Sequence, residues 1–511
     1  MSRSEKLRRI IVWFRNDLRL HDNEAFASAC TLADQVIPVY VFDKRLFQQT
    51  RWFDFPKTGS HRAKFLLESV SDLRSSLRQR GSDLVIAFGK PEELIADLCK
   101  RFNAVNVFCQ KEVCSEETEV EAGLERRCSA QVKYFKGSTL IHEDDLPFNI
   151  QSALPEIFTS FRKIVETRCP VRPPLPAPLK VPPLPALDEE GNALVAGDLP
   201  SLQQLQGTAD SPPSPPPSNS SIPDMVFTGG ETKALERVKY YLWDKDLIRA
   251  YKETRNESLG GDYSSKFAPW FANGCLSARY VYAQVKQYEQ QRVENDSTYW
   301  LIFELLWRDY FRFLGIKHGN RLFFNTGIRG AFYDWKEDVG TLQRWIDGKT
   351  GYPFVDANMR ELKCTGFMSN RGRQNVASYL TKDLGINWQM GAEWFESVLL
   401  DYDPCSNWGN WQYVSGVGND PREDRRFNIA KQAKTYDPNG DYVRRWVPEL
   451  RGIPDLRVHE PWLLSQEEQR RFECQIGVDY PQPMTHPLPY GPPRGGQFQK
   501  HQGPKYQRRG R

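Results

Sequence analysis

IIVWF, centred on residues 11–14, opens a series of short apolar runs that continues with VIPVYVF (36–42), DLVIAF (83–88) and AVNVF (104–108). Each is rich in β-branched and aromatic residues and too short to be a buried helix. Between them the pattern turns amphipathic over 59–80, 91–102 and 115–128, which predicts helices. Short β-rich runs separated by helical patterns argue for a parallel sheet with helices on both faces. Residues 6–160 therefore read as an α/β domain. No GxGxxG follows the first strand, so the dinucleotide fingerprint is missing and this domain is not the evident cofactor site. The opening MSRSEKLRRIIVWF sets a short basic stretch before an apolar one, but polar residues resume at Arg15 without a small-residue cleavage site. It reads as the first strand.

Past this domain the composition changes. PVRPPLPAPLKVPPLPAL (170–187) and SPPSPPPSNSSIP (211–223) favour extended polyproline conformations, so residues 169–223 read as an interdomain linker. Residues 224–465 are rich in Trp, Tyr and Phe at helical spacing, as in 231–254, 277–292, 297–315, 374–384 and 391–400, and read as an all-α domain. The end, 487–511, carries six Lys or Arg and no acid and reads as a disordered basic tail, leaving the rest of a +4 chain slightly acidic. Two domains suit 511 residues. No apolar run approaches the roughly 20 residues of a membrane span, so no segment is expected to cross one. The ten cysteines form no CxxC pair, which suggests free thiols in a reducing intracellular compartment. The seven histidines are scattered, and no metal site is expected.

Chemistry concentrates in the helical domain. Asp401-Tyr402-Asp403-Pro404-Cys405-Ser406-Asn407-Trp408-Gly409-Asn410-Trp411 sets two carboxylates two apart, an amide four residues on and an indole four beyond. Such a set can hydrogen-bond the edge of a heteroaromatic ring and place a redox-active indole beside it, which suits a flavin. Gly261-Asp262-Tyr263-Ser264-Ser265-Lys266-Phe267 offers hydroxyls, a cation and backbone N–H groups before a helical run, as a pyrophosphate at a helix N-terminus requires. A plain helix cap has the same look. Glu304, Trp307 and Arg308 share one helix face. That face presents a carboxyl, a ring and a guanidinium to a ligand, or else is a salt-bridged helix with a core Trp. Arg371 and Arg373, in NRGRQN (370–375), suit phosphates or a partner in Asp401.

With WFRNDLRLHDN (13–23), GKTGYPFVDANMREL (348–362), NRGRQN, DYDPCSNWGNWQY (401–413) and YVRRWVPEL (442–450) in this order, the chain resembles the photolyase and cryptochrome flavoproteins across both domains. YSSKF (263–267), GCLS (274–277) and NRGRQ look most like the DASH cryptochromes of animals. The resemblance implies FAD in the helical domain. Tyr251 and Ser264, Ser265, Lys266 and Phe267 would contact its phosphates and ribityl chain. Arg373 would pair with Asp401, Asp401 and Asp403 would bond the ring system, and Asn407 would face flavin N5. An amide there accepts the N5 hydrogen without adding negative charge, which suits FADH−, whereas Asp would repel it. Trp411, Trp388 and Trp335 match the family's tryptophan triad, a hopping route for electrons, although any one of 14 tryptophans can simply be core.

The family's repair members flip a pyrimidine dimer out of DNA and break its cyclobutane ring with an electron from excited FADH−. By the same resemblance Glu304, if protonated, would donate hydrogen bonds to the dimer, Asn370 would stand at the site, and Trp307 and Arg308 would meet the flipped bases. Arg371 and Arg425 would hold the backbone. Gln374 and Tyr413 stand where double-strand photolyases carry Met and Trp; a more polar pocket with less stacking surface recovers less of the cost of extracting a stacked dimer. Single-stranded DNA is the expected substrate. Six-four repair needs two histidines, and the region has Asn370 and Gln374 instead. An antenna, 5,10-methenyltetrahydrofolate, would sit in the α/β domain against Glu112, which is otherwise a solvated charge at a strand end. The expected protein is a monomer, with a tail able to bind DNA or RNA. Two other classes stay open: a light sensor or nucleic-acid-binding regulator that keeps the pocket unused, and a flavoprotein that only shuttles electrons. The compartment is nucleus, cytoplasm or an organelle.

Overall fold

The structure, a computed structural model, describes residues 8–207, 215, 225–422 and 425–486. The tail expected from 487 onward lies outside the described residues. Strands β1 (Arg9–Phe14), β2 (Gln35–Asp43), β3 (Val85–Gly89), β4 (Asn106–Gln110) and β5 (Gln131–Phe135) form one parallel sheet in the order β3-β2-β1-β4-β5. They are linked by α1 (Glu24–Leu32), α2 (Ser60–Arg78), α3 (Pro91–Arg101) and α4 (Ser115–Arg127).

The unbroken apolar runs have a simple cause. Successive strand residues face opposite sides, and both sides are covered. Ile10, Val12 and Phe14 join a core with Phe26 and Ala29 of α1 and Leu73 and Leu77 of α2. Ile11 and Trp13 join another with Ile95 and Leu98 of α3 and Leu124 of α4. β5 was not among the strands expected: QVKYF is an edge strand, half-exposed and interrupted by Lys133, so it offers no apolar run. α1 was missed as well.

Strand order reverses between β1 and β4, and in such sheets a crevice forms beyond the strand carboxyl ends at that point. The segments leaving β1, β4 and β5 meet the helical half at this end of the sheet. Asp22, fully buried, accepts hydrogen bonds from Arg279 Nη2 (2.7 Å), Arg279 Nε (2.9 Å) and the Ser277 hydroxyl. Glu231 accepts from the N–H groups of Leu20 (2.8 Å) and His21 (3.0 Å), and Asp309 from those of Leu140 (3.0 Å) and Ile141 (2.8 Å). Gly274 has φ +68°, and a Cβ on it would lie 1.9 Å from the Asn16 carbonyl oxygen. The motifs at 13–23 and 274–277 are thus two halves of one joint.

The Pro-rich segment is more than a spacer over its described part. Residues 169–207 form no strand, but Leu175 N–H bonds the Asp22 carboxylate (3.0 Å), Ile86 N–H bonds Ala196 O (2.7 Å), and Val181 and Leu205 are buried in the main core. Proline leaves most carbonyls free as acceptors, which is how a segment without internal ladders is tied down.

Beyond it the chain is helical. The predicted helix at 231–254 is broken into an α-helix (Glu231–Lys239), a π-helical turn (Tyr240–Asp244), a 3-10 turn (Leu247–Ala250) and a short helix (Tyr251–Thr254). The longest helix, Asp296–His318, begins at an Asn295 cap that accepts from Ser297 N and Thr298 N while Thr298 reciprocates, and it stops at Gly319 with φ +53°. Packing continues past residue 465: Tyr480 is fully buried and its hydroxyl donates to Asp356 (2.5 Å). Among the described residues no helix is long and apolar enough to cross a membrane, and no His/Cys/Asp/Glu cluster could hold a metal.

Candidate functional site

A cavity of about 320 Å³ opens in the helical half, a size suited to a cofactor. Tyr251 and residues 263–267 form one wall. Arg237 holds that loop, donating to the carbonyls of Gly261 (2.8 Å), Ser264 (3.1 Å) and Ser265 (3.1 Å) and pairing with Asp262. Lys266 adopts φ +56° and lies over the rings of Tyr263 (4.0 Å) and Phe367 (4.4 Å). A non-glycine residue held there is strained. The helix expected to offer its N-terminus to a pyrophosphate is only Ala268–Ala272, five residues long. So short an element has little dipole, and the groups on this wall with anion-binding chemistry are the Ser264 and Ser265 hydroxyls and Lys266.

The opposite wall is the helix Pro404–Ser415. Asp403 caps it, accepting from Ser406 N (2.7 Å), with Pro404 in the first turn. Asn407 and Trp411 follow at one-turn intervals and both face the cavity. Asn407 Nδ2 donates to Ala392 O (3.0 Å), which leaves Oδ1 as the acceptor for a ligand. Arg373, from the helix Asn370–Ser378, donates through Nη2 to both oxygens of Asp401 (3.0 and 2.8 Å) and through Nε to Met368 O (2.9 Å). Two carboxylates, an amide acceptor, two hydroxyls and two cations around one cavity fit the donors and acceptors of a flavin nucleotide.

Glu304, Arg308, Asn370 and Gln374 line the same space. Glu304 is paired with Arg255, and burial raises its pKa against the opposite pull of that cation. Arg308 Nη1 donates to Ser138 O (2.6 Å). Trp307, on the same helix face in sequence, does not line the cavity: its ring stacks on Phe158 with centroids 3.7 Å apart and planes 11° apart. The base-stacking surface expected of Trp307 is therefore taken by Phe158. Arg371 is also held beside the cavity, donating to Gln374 Oε1 (2.8 Å) and Asn256 Oδ1 (3.1 Å) under the Tyr436 ring (4.5 Å). Tyr413 meets Trp307 edge-on (6.1 Å) and accepts from Arg425 Nη2 (3.2 Å), while Arg425 pairs with Asp420 (2.8 Å). These four form a cluster next to the site.

The three tryptophans are not in mutual ring contact. Trp411 packs edge-on against Phe395 (5.1 Å) and against Gly391, where a Cβ would stand 2.2 Å from its ring. Gly391 lies one turn past Trp388 on the helix Trp388–Val398, so the missing side chain is what brings Trp411 up to that helix. Trp388 is fully buried and donates to Asn325 O (3.0 Å); Trp335 is half-buried beside Tyr333 (5.3 Å).

Glu112 is neither solvated nor free. It is buried and accepts from Arg312 Nη1 and Nη2 (both 3.2 Å) and from Gln110 Nε2 (3.0 Å), tying the strand end to the helical half. The crevice there is about 20 Å³, room for one water and too small for a pterin ring. The residues present do not fit a folate at this place.

Arg237, Arg255 and Asn256 escaped the sequence reading. Each acts on a partner 24 to 115 residues away, and a lone Arg or Asn between helices carries no local signal.

The chain matches two family models, DNA photolyase over residues 10–182 and the FAD binding domain of DNA photolyase over 300–487. A cryptochrome DASH from Gloeobacter violaceus is 55% identical, covering 93% of this chain and 93% of the relative. One from Xenopus laevis is 51% identical, covering 93% and 89%. Among solved structures, a Synechocystis cryptochrome superposes with a TM-score of 0.86 at 48% identity, covering 94% of this chain and 97% of that one. Bacterial and animal relatives stand at similar identity.

Proposed function

The chain belongs to the photolyase and cryptochrome family, among the DASH cryptochromes, with an FAD-binding domain, and from this we propose that it is a blue-light-dependent enzyme splitting cyclobutane pyrimidine dimers, in single-stranded DNA before duplex. The observation that carries the reading is that Glu304, Arg308 and Asn370 share one cavity with Asp401, Asn407 and Trp411. A dimer and the isoalloxazine edge would thus meet inside it without a dividing wall. FAD, when bound and reduced, supplies the photoexcited electron.

The chain's own part is binding and charge placement. The Ser264 and Ser265 hydroxyls and Lys266 hold the phosphates, the Arg373–Asp401 pair fixes one edge of the ring, and Asn407 Oδ1 accepts a hydrogen from it. In its acid form, which burial favours and the Arg255 cation opposes, Glu304 donates a hydrogen bond to a dimer carbonyl as negative charge develops there. The stacking of Trp307 on Phe158 supports the strand preference: a pocket lacking that surface repays little of the few kcal/mol needed to flip bases from a duplex. The same observation favours a second reading, a photoreceptor or nucleic-acid-binding regulator with little repair. The antenna has no assigned place, since Glu112 is spent on the domain joint.

The test is anaerobic repair: the reduced protein is mixed with thymine-dimer oligonucleotides, single-stranded or duplex, and illuminated, and restored thymines are counted. Repair of the single strand with little on the duplex is expected. Equal repair of both would remove the argument from Gln374, Tyr413 and Trp307, and no repair with FAD bound and photoreducible would leave the photoreceptor reading.

A further inference from the structure

Trp388 touches a second tryptophan that lies outside the expected triad. Its ring meets Trp408 edge-on, with centroids 5.6 Å apart and planes at 80°, and Trp408 in turn meets Trp52 at 5.8 Å and 69°. Burial falls away along this line: Trp388 is 0% exposed, Trp408 2% and Trp52 44%. Trp52 lies in the loop after β2, so the line leaves the helical half and surfaces on the α/β domain. The loop is fixed to the helix that Trp388 begins, because the N–H groups of Trp52 (3.2 Å) and Phe53 (3.0 Å) both donate to the carboxylate of Glu393. An indole contact spanning two domains is thereby held by a hydrogen-bonded clamp and does not depend on a mobile loop.

We propose that Trp408 and Trp52 form a second exit for the redox relay, branching at Trp388, so that an oxidised indole formed inside reaches solvent on the α/β domain as well as at Trp335. The proposal rests on reading Trp411 and Trp388 as electron carriers. When Trp411 has given up one electron to the light-excited cofactor, its radical cation takes an electron from Trp388. Trp388 then takes one from Trp408, and Trp408 from Trp52. The cation left on Trp52 is reduced by a small thiol in solution, which loses one electron and one proton and becomes a thiyl radical.

Three features favour this direction. Contacts under 6 Å between centroids replace one long electron jump by short ones. Charge is better solvated at exposed Trp52 than at buried Trp388. Trp408 also has a hydrogen-bond acceptor, since its Nε1–H donates to the Tyr402 hydroxyl (3.3 Å), a contact that eases positive charge on the indole, whereas Trp335 Nε1 has no acceptor among the described residues.

The test uses the full holoprotein with tryptophan radicals followed by transient absorption and electron paramagnetic resonance after a light pulse. Trp335→Phe is expected to keep a long-lived tryptophan radical, and Trp335→Phe with Trp52→Phe to lose it. If Trp335→Phe alone loses the signal, the branch is overturned while the triad stands. If Trp388→Phe leaves the signal intact, the relay reading fails and the branch with it. A readout that needs neither light nor catalysis is oxidation in the dark by azide radicals, with peptides mapped by mass spectrometry. Buried Trp408 is expected to be oxidised through Trp52 and to lose that oxidation in the exposed-site variant Trp52→Phe; unchanged oxidation of Trp408 would overturn the contact as a conduit.

Discussion

Asn407 does two jobs with one amide. Its Nδ2 is committed to Ala392 O, and its Oδ1 faces the cavity. Asn407→Asp changes both. The carboxylate cannot donate to Ala392 O, and losing that side-chain hydrogen bond costs roughly 0.5–1.5 kcal/mol. It also places a negative charge where the proposed reduced cofactor is anionic, a repulsion of order a few kcal/mol at an effective dielectric near 20. The expected outcome is a lower midpoint potential for the bound flavin, measured by spectroelectrochemistry, with a folded protein that retains FAD. An unchanged potential would remove Asn407 from the ring edge. Arg373 is a contrasting case: truncating it strands Asp401, whose side chain is 6% exposed. Arg373→Ala is therefore expected to lose bound FAD and roughly 3–5 kcal/mol of stability, read by cofactor content and denaturant unfolding.

At the scale of elements, the site depends on how closely two helices approach. Pro404–Ser415 lies against Trp388–Val398 because Gly391 has no side chain where Trp411 sits. Gly391 has an ordinary helical conformation, so Gly391→Ala adds only bulk, and a Cβ 2.2 Å from the Trp411 ring must push the ring or the helix away. Overpacking of this kind costs about 1–3 kcal/mol, and the displaced ring is expected to lower the yield of photoreduction more than it lowers FAD content. Equal losses in both would mean that the helix contact serves binding alone. Elements of this kind are legible in sequence where the signal is local. IIVWF and VIPVYVF announce strands covered on both faces, and the Asp403 cap with Pro404 announces a helix start. The edge strand β5 is not legible, because half its residues face water, nor is the docking of residues 169–207, whose ties to Asp22 and Ile86 reach across to distant segments. The site divides the same way. Asp401, Asn407 and Trp411 lie ten residues apart on one turn and helix, while the pairing of Glu304 with Arg255, of Glu112 with Arg312 and of Trp307 with Phe158 depends on chain segments that only folding brings together.

The whole molecule is held at its domain joint by buried carboxyls, and this sets a pH dependence. Burial pushes Glu117, Glu396 and Asp309 each up to about 7. Glu396 lies close to Lys57 and Arg62 of the α/β domain, and Asp309 bonds the N–H groups of Leu140 and Ile141. A carboxyl raised in the folded state holds a proton that the unfolded chain releases near its ordinary 3.8 to 4.5. Its stabilising contribution is fully present below that range and is lost as pH rises through about 7, so this part of the folded state's stability falls between about 4.5 and 7 and is gone above. Histidines act in the opposite sense. His61, His142, His318 and His459 are lowered from 6.5 by burial, so below 6.5 the unfolded chain gains protons that the folded chain refuses, and stability falls again toward acid. The two effects oppose each other between about 4.5 and 7 and both die out above about 7, so the thermal unfolding temperature is expected to level off there. Each tenfold difference in proton affinity is worth about 1.4 kcal/mol, enough to resolve in a melting curve. Glu396→Gln keeps the shape and removes one of the opposing titrations, so between about 4.5 and 7 its unfolding temperature is expected to rise more steeply, or fall less, with pH than that of the unsubstituted protein, with no change of slope above about 7. A variant whose whole profile shifts without changing slope would place the pH sensitivity outside the joint.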